Sequence, residues 1–236
     1  SIGHIYYQNL KHEISPGQSL NFNFNIYNKI IEIFYPNLEL GSNTLFKGIL
    51  DSDPNKFVLG FKSPNIRIQS YFAKRLEVKL DNSNPIYNSF IEVDSLSTPY
   101  FNSSDLSAIH VNLNDTLYIK TQFKSGKQKE NNFDFNLFYT KSGENYIFGL
   151  RPSEINFKNT AWQLIANSNN FSKLEFNPKS KAFTLDPIRI SYNDEKIIFR
   201  ANAKDSLSTT IDLQFDQVDL AKVTPEIDSL NLGGII

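Results

Sequence analysis

The feature that most constrains this chain is a period of two. Leu20, Phe22, Phe24 and Ile26 alternate with Asn21, Asn23 and Asn25. Successive side chains of a pleated strand point to opposite faces, so this stretch has one apolar face and one made only of asparagine. The pattern returns in short runs: Phe57, Leu59 and Phe61; Leu76, Val78 and Leu80; Ile109, Val111 and Leu113; Leu117, Ile119 and Phe123. It continues through Phe133, Phe135 and Leu137, through Tyr146, Phe148 and Leu150, and through the pairs Ile188/Ile190 and Ile197/Phe199. Ile211, Leu213 and Phe215 close the series. In the run from Phe133 to Tyr139, Phe138 alone breaks the alternation.

Turn chemistry separates the runs at Pro36-Asn37, Asp51–Asn55, Ser63-Pro64-Asn65, Ser125-Gly126 and Ser142-Gly143. Strands are predicted to include Lys29–Tyr35, Thr44–Leu50, Phe57–Phe61, Asn65–Ser70, Ala182–Leu185 and Ile188–Tyr192, making roughly sixteen in all. Parallel strands would be apolar on both faces and joined by crossover helices, so one apolar face per strand predicts an antiparallel all-β protein. Sixteen strands at about 4.8 Å each would span about 75 Å, past the ~10 strands at which open sheets usually curl or split. Alternation alone leaves a sandwich and a trough equally open.

Composition narrows function by exclusion. The 236 residues are 40% hydrophobic and 14% aromatic with a formal net charge of −1 and no run of like charge, so no nucleic-acid or polybasic membrane footprint is present. There is no cysteine and no methionine, and Ser1–Tyr7 lacks a signal-peptide pattern. No site chemistry stands out, and no catalytic residue, metal ligand or cofactor is expected. His4, His12 and His110 read as surface residues. Asp51-x-Asp53-x-Asn55 begins like a calcium loop, but Lys56 and Lys62 stand where a glycine and a bidentate glutamate are needed. Trp162 reads as a packing residue with its N–H paired.

The last stretch changes period. After the strand Thr209–Phe215, Leu220, Val223, Ile227 and Leu230 recur at spacings of three and four, predicting a helix over Val218–Leu230 that is kinked or restarted near Thr224. Gly233-Gly234 permits a sharp turn before Ile235 and Ile236. The wording VDLAKVTPEIDSLNLGG over Val218–Gly234 resembles the TamB and AsmA-like family of bacterial envelope proteins. So do Leu150-Arg151-Pro152-Ser153-Glu154-Ile155, Trp162, Ile188-Arg189-Ile190 and Ile197–Ala201, in the manner of Bacteroidota-like members. The resemblance covers about Glu144–Ile236.

That resemblance implies a long antiparallel sheet curled into a U-shaped apolar groove (a β-taco), with a short helix near the C-terminus. It also implies that residues 1–236 form one continuous groove segment, an internal periplasmic fragment of a longer protein, with 216–230 as a strand-to-helix edge element. The alternating residues named above would then line a path for phospholipid between the inner and outer membranes. The implied partners are phospholipid, a TamA-type outer-membrane barrel and the inner membrane, reached through an anchor outside this fragment. Two other readings stay open: an outer-membrane protein assembly factor working with that barrel, and a β-sandwich binding module.

Overall fold

The structure is a computed structural model that describes residues 15–26, 30–53, 56–165, 171–204, 208–224 and 233–236. It is nearly all β, a 16-stranded antiparallel sheet with a short helix near the C-terminus. The chain divides into two compact units at Gly126/Lys127. The first holds β1 (Ser19–Ile26), α1 (Ile30–Phe34), β2 (Leu38–Leu40), β3 (Thr44–Asp51), β4 (Lys56–Ile68), β5 (Tyr71–Asp81), β6 (Ser89–Ser97), β7 (Asn102–Leu113) and β8 (Thr116–Ser125). The second holds β9 (Asn131–Ser142), β10 (Asn145–Leu150), β11 (Ser153–Phe157), β12 (Thr160–Ile165), β13 (Ser172–Phe176), β14 (Phe183–Tyr192), β15 (Glu195–Ala203), β16 (Thr209–Asp216) and α2 (Leu220–Val223).

Within each unit the strands form a meander in which some lines are interrupted. β2 and β3 lie end to end against β4, β10 and β11 against β9, and β12 and β13 against β14. Tight two-residue turns join neighbours where both central residues take the left-handed backbone. Asn114-Asp115 (φ 50° and 57°) links β7 to β8, and Lys158-Asn159 (φ 49° and 60°) links β11 to β12. This twist matches that of the flanking strands.

The interruptions line up across the sheet, and buried hydroxyls fill them. In the first unit the ladder passes over Pro64, Arg75, Asp94 and Asp105, which lie opposite one another on β4 to β7. Pro64 has no N–H to donate, and Arg75 (φ 49°) and Asp105 (φ 51°) leave extended geometry. Beside this row Thr44 Oγ1 donates to Gly41 O (2.6 Å) and shares a hydrogen bond with Ser63 Oγ (2.7 Å), which reaches Asn65 O (2.7 Å). In the second unit Ser153 Oγ accepts from Asn136 N (2.9 Å) and donates to Arg151 O, beside Pro152. Ser172 Oγ donates to Pro187 O (2.6 Å), where β14 carries a register shift. Such irregularities bend a strand and free backbone groups that must find partners. Thr44, Ser63 and Ser172 are accordingly among the most deeply buried side chains described.

Three sequence expectations change. Lys29–Tyr35, predicted as a strand, contains the one-turn helix α1, in which Tyr35 N reaches Ile31 O. Its apolar residues Ile30, Ile31, Ile33 and Phe34 follow a helical spacing and never alternated. The predicted turn at Ser63-Pro64-Asn65 is the interior of β4, because the hydroxyl of Ser63 lets the strand pass through its proline. The two runs either side of Asp186-Pro187 likewise make one strand, β14, with a bulge.

The helix predicted over Val218–Leu230 is described only as Leu220–Val223; Pro225–Leu232 lie outside the described residues. Asp219 caps its start, accepting from Ala221 N (3.0 Å), and Thr224 ends it, its hydroxyl on Leu220 O (2.8 Å). Val218 precedes the helix and is fully buried. The chain then returns, with Val218 and Leu220 hydrogen-bonded to Ile236 and Gly234 (φ 115°). Buried Glu195 at the start of β15 fastens this corner: its carboxylate accepts from Asp219 N (2.9 Å) and from Lys222 Nζ, holding the Lys222 ammonium above its usual range.

Thr44→Val removes the hydroxyl that serves Gly41 O and Ser63 Oγ, leaving buried polar atoms without their partner. It should cost about 1–3 kcal/mol in urea unfolding. Ser52→Ala, in an exposed turn, should shift the midpoint by no more than about 0.5 kcal/mol.

Candidate functional site

Register, more than alternation, decides which side chains share a face. In the first unit Phe22 lies opposite Gly48, Gly48 opposite Leu59, Leu59 opposite Leu80, Leu80 opposite Ser89, Ser89 opposite His110 and His110 opposite Ile119. The parallel row reads Phe24, Phe46, Phe61, Val78, Ile91, Ala108, Thr121. Directly opposed residues lie on one side of a sheet, so these rows form one apolar face across β1 to β8. Phe22 packs on Phe24 and Phe46 (centroids 5.5 and 5.0 Å), and Phe46 on Phe61 (6.1 Å). Gly48 makes room for this: a Cβ there would sit 2.6 Å from the Phe22 ring.

The second unit repeats the arrangement. Ile211, Ala201, Leu185, Leu174, Phe148 and Tyr139 form one row, and Phe215, Ile197, Ile190, Leu164 and Ser153 another. Leu213, Phe199 and Ile188 lie between them, and Phe133, Ile155, Trp162 and Tyr192 continue the same face. The far side carries ion pairs such as Arg200–Asp212 (3.3 Å) here and Lys62–Glu77 (3.5 Å) in the first unit. Phe138 belongs to that far side. It covers Gly149 and packs edge-on against Phe171 (5.6 Å), which explains its break in the alternation.

Among the described residues of each unit these apolar faces are only partly covered: Leu20 is 53% exposed, Phe24 57% and Leu213 51%, and most of their neighbours are half-buried. Among the described residues only Val93, Trp162, Leu164, Ala201, Ala203 and Val218 are buried hydrophobics.

The structure moves three named residues and one histidine. Ile109, Val111 and Leu113 lie opposite Phe90/Lys120, Tyr118 and Thr116, on the face away from Phe22, Leu59 and Leu80, and all three are exposed. His110, expected at the surface, is buried on the apolar face with Nδ1 hydrogen-bonded to Ser89 Oγ, and burial pushes its pKa down to about 4. Alternation within β7 is real, but no sequence signal states which phase faces which way, and here the polar phase faces inward. Leu117, Ile119 and, by alternation, Phe123 stay on the apolar face. Phe46, Leu50 and Ile91 belong to it and were not singled out, because Leu45 and Ile49 on the opposite face obscure the period of β3.

Trp162 is buried against Tyr192 (5.8 Å), but its indole N–H, expected to be paired, has no hydrogen-bond partner among the described residues. Asp53 binds Gly17 N (2.7 Å) as a turn residue, and no trio of metal-type ligands occurs among the described residues. His4, His12 and Asn55 lie outside them. No family model, curated protein or solved structure matches this chain.

Because its folded pKa lies below the unfolded value of about 6.5, His110 supports folding above that pH and ceases to as pH falls toward about 4. His110→Gln, which does not titrate, should lose less stability than wild type between pH 7 and 4.5. Equal losses in urea midpoint would show that His110 is not excluded from protonation.

Proposed function

We propose that this protein carries the acyl chains of phospholipid along its apolar faces, as a periplasmic segment of a TamB-like bridge between two bacterial membranes, with no reaction catalysed. The observation that supports this reading is the apolar face of each unit, built from laterally adjacent strands, on which described side chains such as Leu20, Phe24 and Leu213 stay exposed. A soluble protein rarely leaves so large an apolar surface to water without an occupant. Exposing one acyl chain of about sixteen carbons costs on the order of 10 kcal/mol at ~0.8 kcal/mol per methylene, and a dry surface removes most of that barrier. The rows of the first unit, Phe, Leu, Ile and Val with Ser89 and a neutral His110, offer no strong trap along the path, while in the second unit Lys141 opposite Tyr146 and Glu195 opposite Tyr192 put charge at the margins of the face. The resemblance at Val218–Gly234 supplies the envelope setting, the TamA-type barrel and the inner-membrane anchor as proposed partners.

A second reading draws on β1. Among the described residues it is an edge strand, hydrogen-bonded to β3, and it carries no charge, proline or bulge. Natural edges normally use such devices to refuse another strand. Addition of a client strand here is the assembly-factor alternative.

Photo-crosslinkers at Phe22, Val78 and Phe135 should capture lipid in cells, and those at Asn23 and Lys79 should not. Val111 should behave like the asparagine and lysine positions, since register places it on their side. Equal labelling on both faces would end the conduit reading, and crosslinks from β1 to nascent outer-membrane proteins would favour the assembly reading.

A further inference from the structure

One end of the first unit carries a fringe of aromatic tips. Leu38 lies opposite Ile68, Ile68 opposite Tyr71, Phe72 opposite Ser97 and Ser97 opposite Asn102, so α1, the β4–β5 turn and the β6–β7 turn all emerge at the same end of the strands. Gln69 N also reaches Asn37 O (3.3 Å), joining the first two. Each tip holds large apolar side chains out into solvent. Tyr100 is 87% exposed, Ile33 76% and Phe34 73%, and Tyr35, Phe101, Ile68 and Tyr71 are exposed beside them.

The tips are built to hold this position. Thr98 N and Oγ1 both donate to Phe101 O (3.0 and 2.8 Å), and Thr98 Oγ1 accepts from Tyr100 N (3.2 Å) and Phe101 N (2.9 Å). Four hydrogen bonds within Thr98–Phe101 thus fix a turn whose product is two outward rings. The two hairpin tips are also free of charge: Ile68–Tyr71 and Ser97–Asn102 contain no ionisable group except the tyrosine phenols, Arg67 is taken up by Glu39 (3.5 Å) and the Phe72 ring (4.8 Å), and α1 carries the single acid Glu32.

We propose that this fringe is a docking edge for the interface of a zwitterionic phospholipid bilayer, where the rings enter the boundary between headgroups and acyl chains. Tyrosine and phenylalanine on neutral tips suit that boundary, with an apolar body inward and, for tyrosine, a hydroxyl in the headgroup layer. Successive hairpin tips stand about 10 Å apart, two strand spacings. That makes separate fingers for a fluid surface, with no continuous groove for a helix or strand. The two hairpin tips carry no lysine or arginine, so binding through them should not require anionic lipid. The inference stands apart from lipid carriage on the apolar face, which the crosslinks from Phe22 and Val78 test separately.

The test is flotation of the purified protein with phosphatidylcholine/phosphatidylethanolamine vesicles, with and without phosphatidylglycerol. Wild type should float, with little change on adding phosphatidylglycerol. Tyr100→Ser combined with Phe101→Ser should lower the bound fraction about tenfold, as expected for losing two inserted rings. Ile86→Ser, equally exposed at the opposite end of the strands, should bind as wild type. All three proteins should share one urea midpoint, since the altered side chains are in solvent. Failure of wild type to float, equal loss in Ile86→Ser, or self-association that depends on Tyr100 and Phe101 in place of vesicle binding would each overturn the proposal.

Discussion

A hydrogen bond between two hydroxyls, Thr44 Oγ1 and Ser63 Oγ, marks the constraint on which this architecture depends. Proline, left-handed residues and bulges interrupt the strands of this sheet, and each frees backbone groups that cannot be left bare. Threonine and serine are the smallest side chains that can answer them. Three of the four deepest side chains described, Thr44, Ser63 and Ser172, are therefore polar, and Val218 is the fourth. The Ser153 and Ser172 sites repeat the solution in the second unit with Pro152 and Pro187.

Once the breaks are satisfied, the apolar face needs only size and register. Phe22 can lie over Gly48 because its neighbour has no side chain, and Phe46 can meet Phe61 because β3 and β4 are in step. The same logic places small or polar residues, Ser89 and His110, on an otherwise apolar row. Their mutual hydrogen bond lets them stay there. His110 remains neutral because water is scarce around it, so the face carries no charge at neutral pH.

The fold class was legible in the sequence because period two is a local property. Antiparallel pairing follows from it, and the change of period near Leu220 is local in the same way; the strand total of roughly sixteen was reached with α1 counted as a strand, β4 and β14 each counted as two, and β2 left out. The sense of each strand is not local. In β7 the apolar phase Ile109, Val111 and Leu113 faces away from Phe22, and only the pairing of Ser89 with His110 reveals it. The α1 turn was missed because β-branched and aromatic residues favour strands by propensity, while their spacing was helical. Pro64 was read as a break because proline usually ends a strand, and the hydroxyl that carries the chain past it lies beside it in the ladder. Glu195 gives no signal at all: its partners Asp219 and Lys222 are more than twenty residues away.

The meander has an energetic consequence of its own. Where strands pair with their neighbours, cohesion behaves like a one-dimensional lattice of nearest-neighbour terms, as it does in stacked repeat proteins. Stability then belongs to junctions more than to a centre. Among the described residues β1 and β16 each have one such junction, and Glu195, by drawing in the turn after β16, adds a side-chain clamp beside it. Peeling β16 away therefore means undoing that clamp as well as a strand ladder.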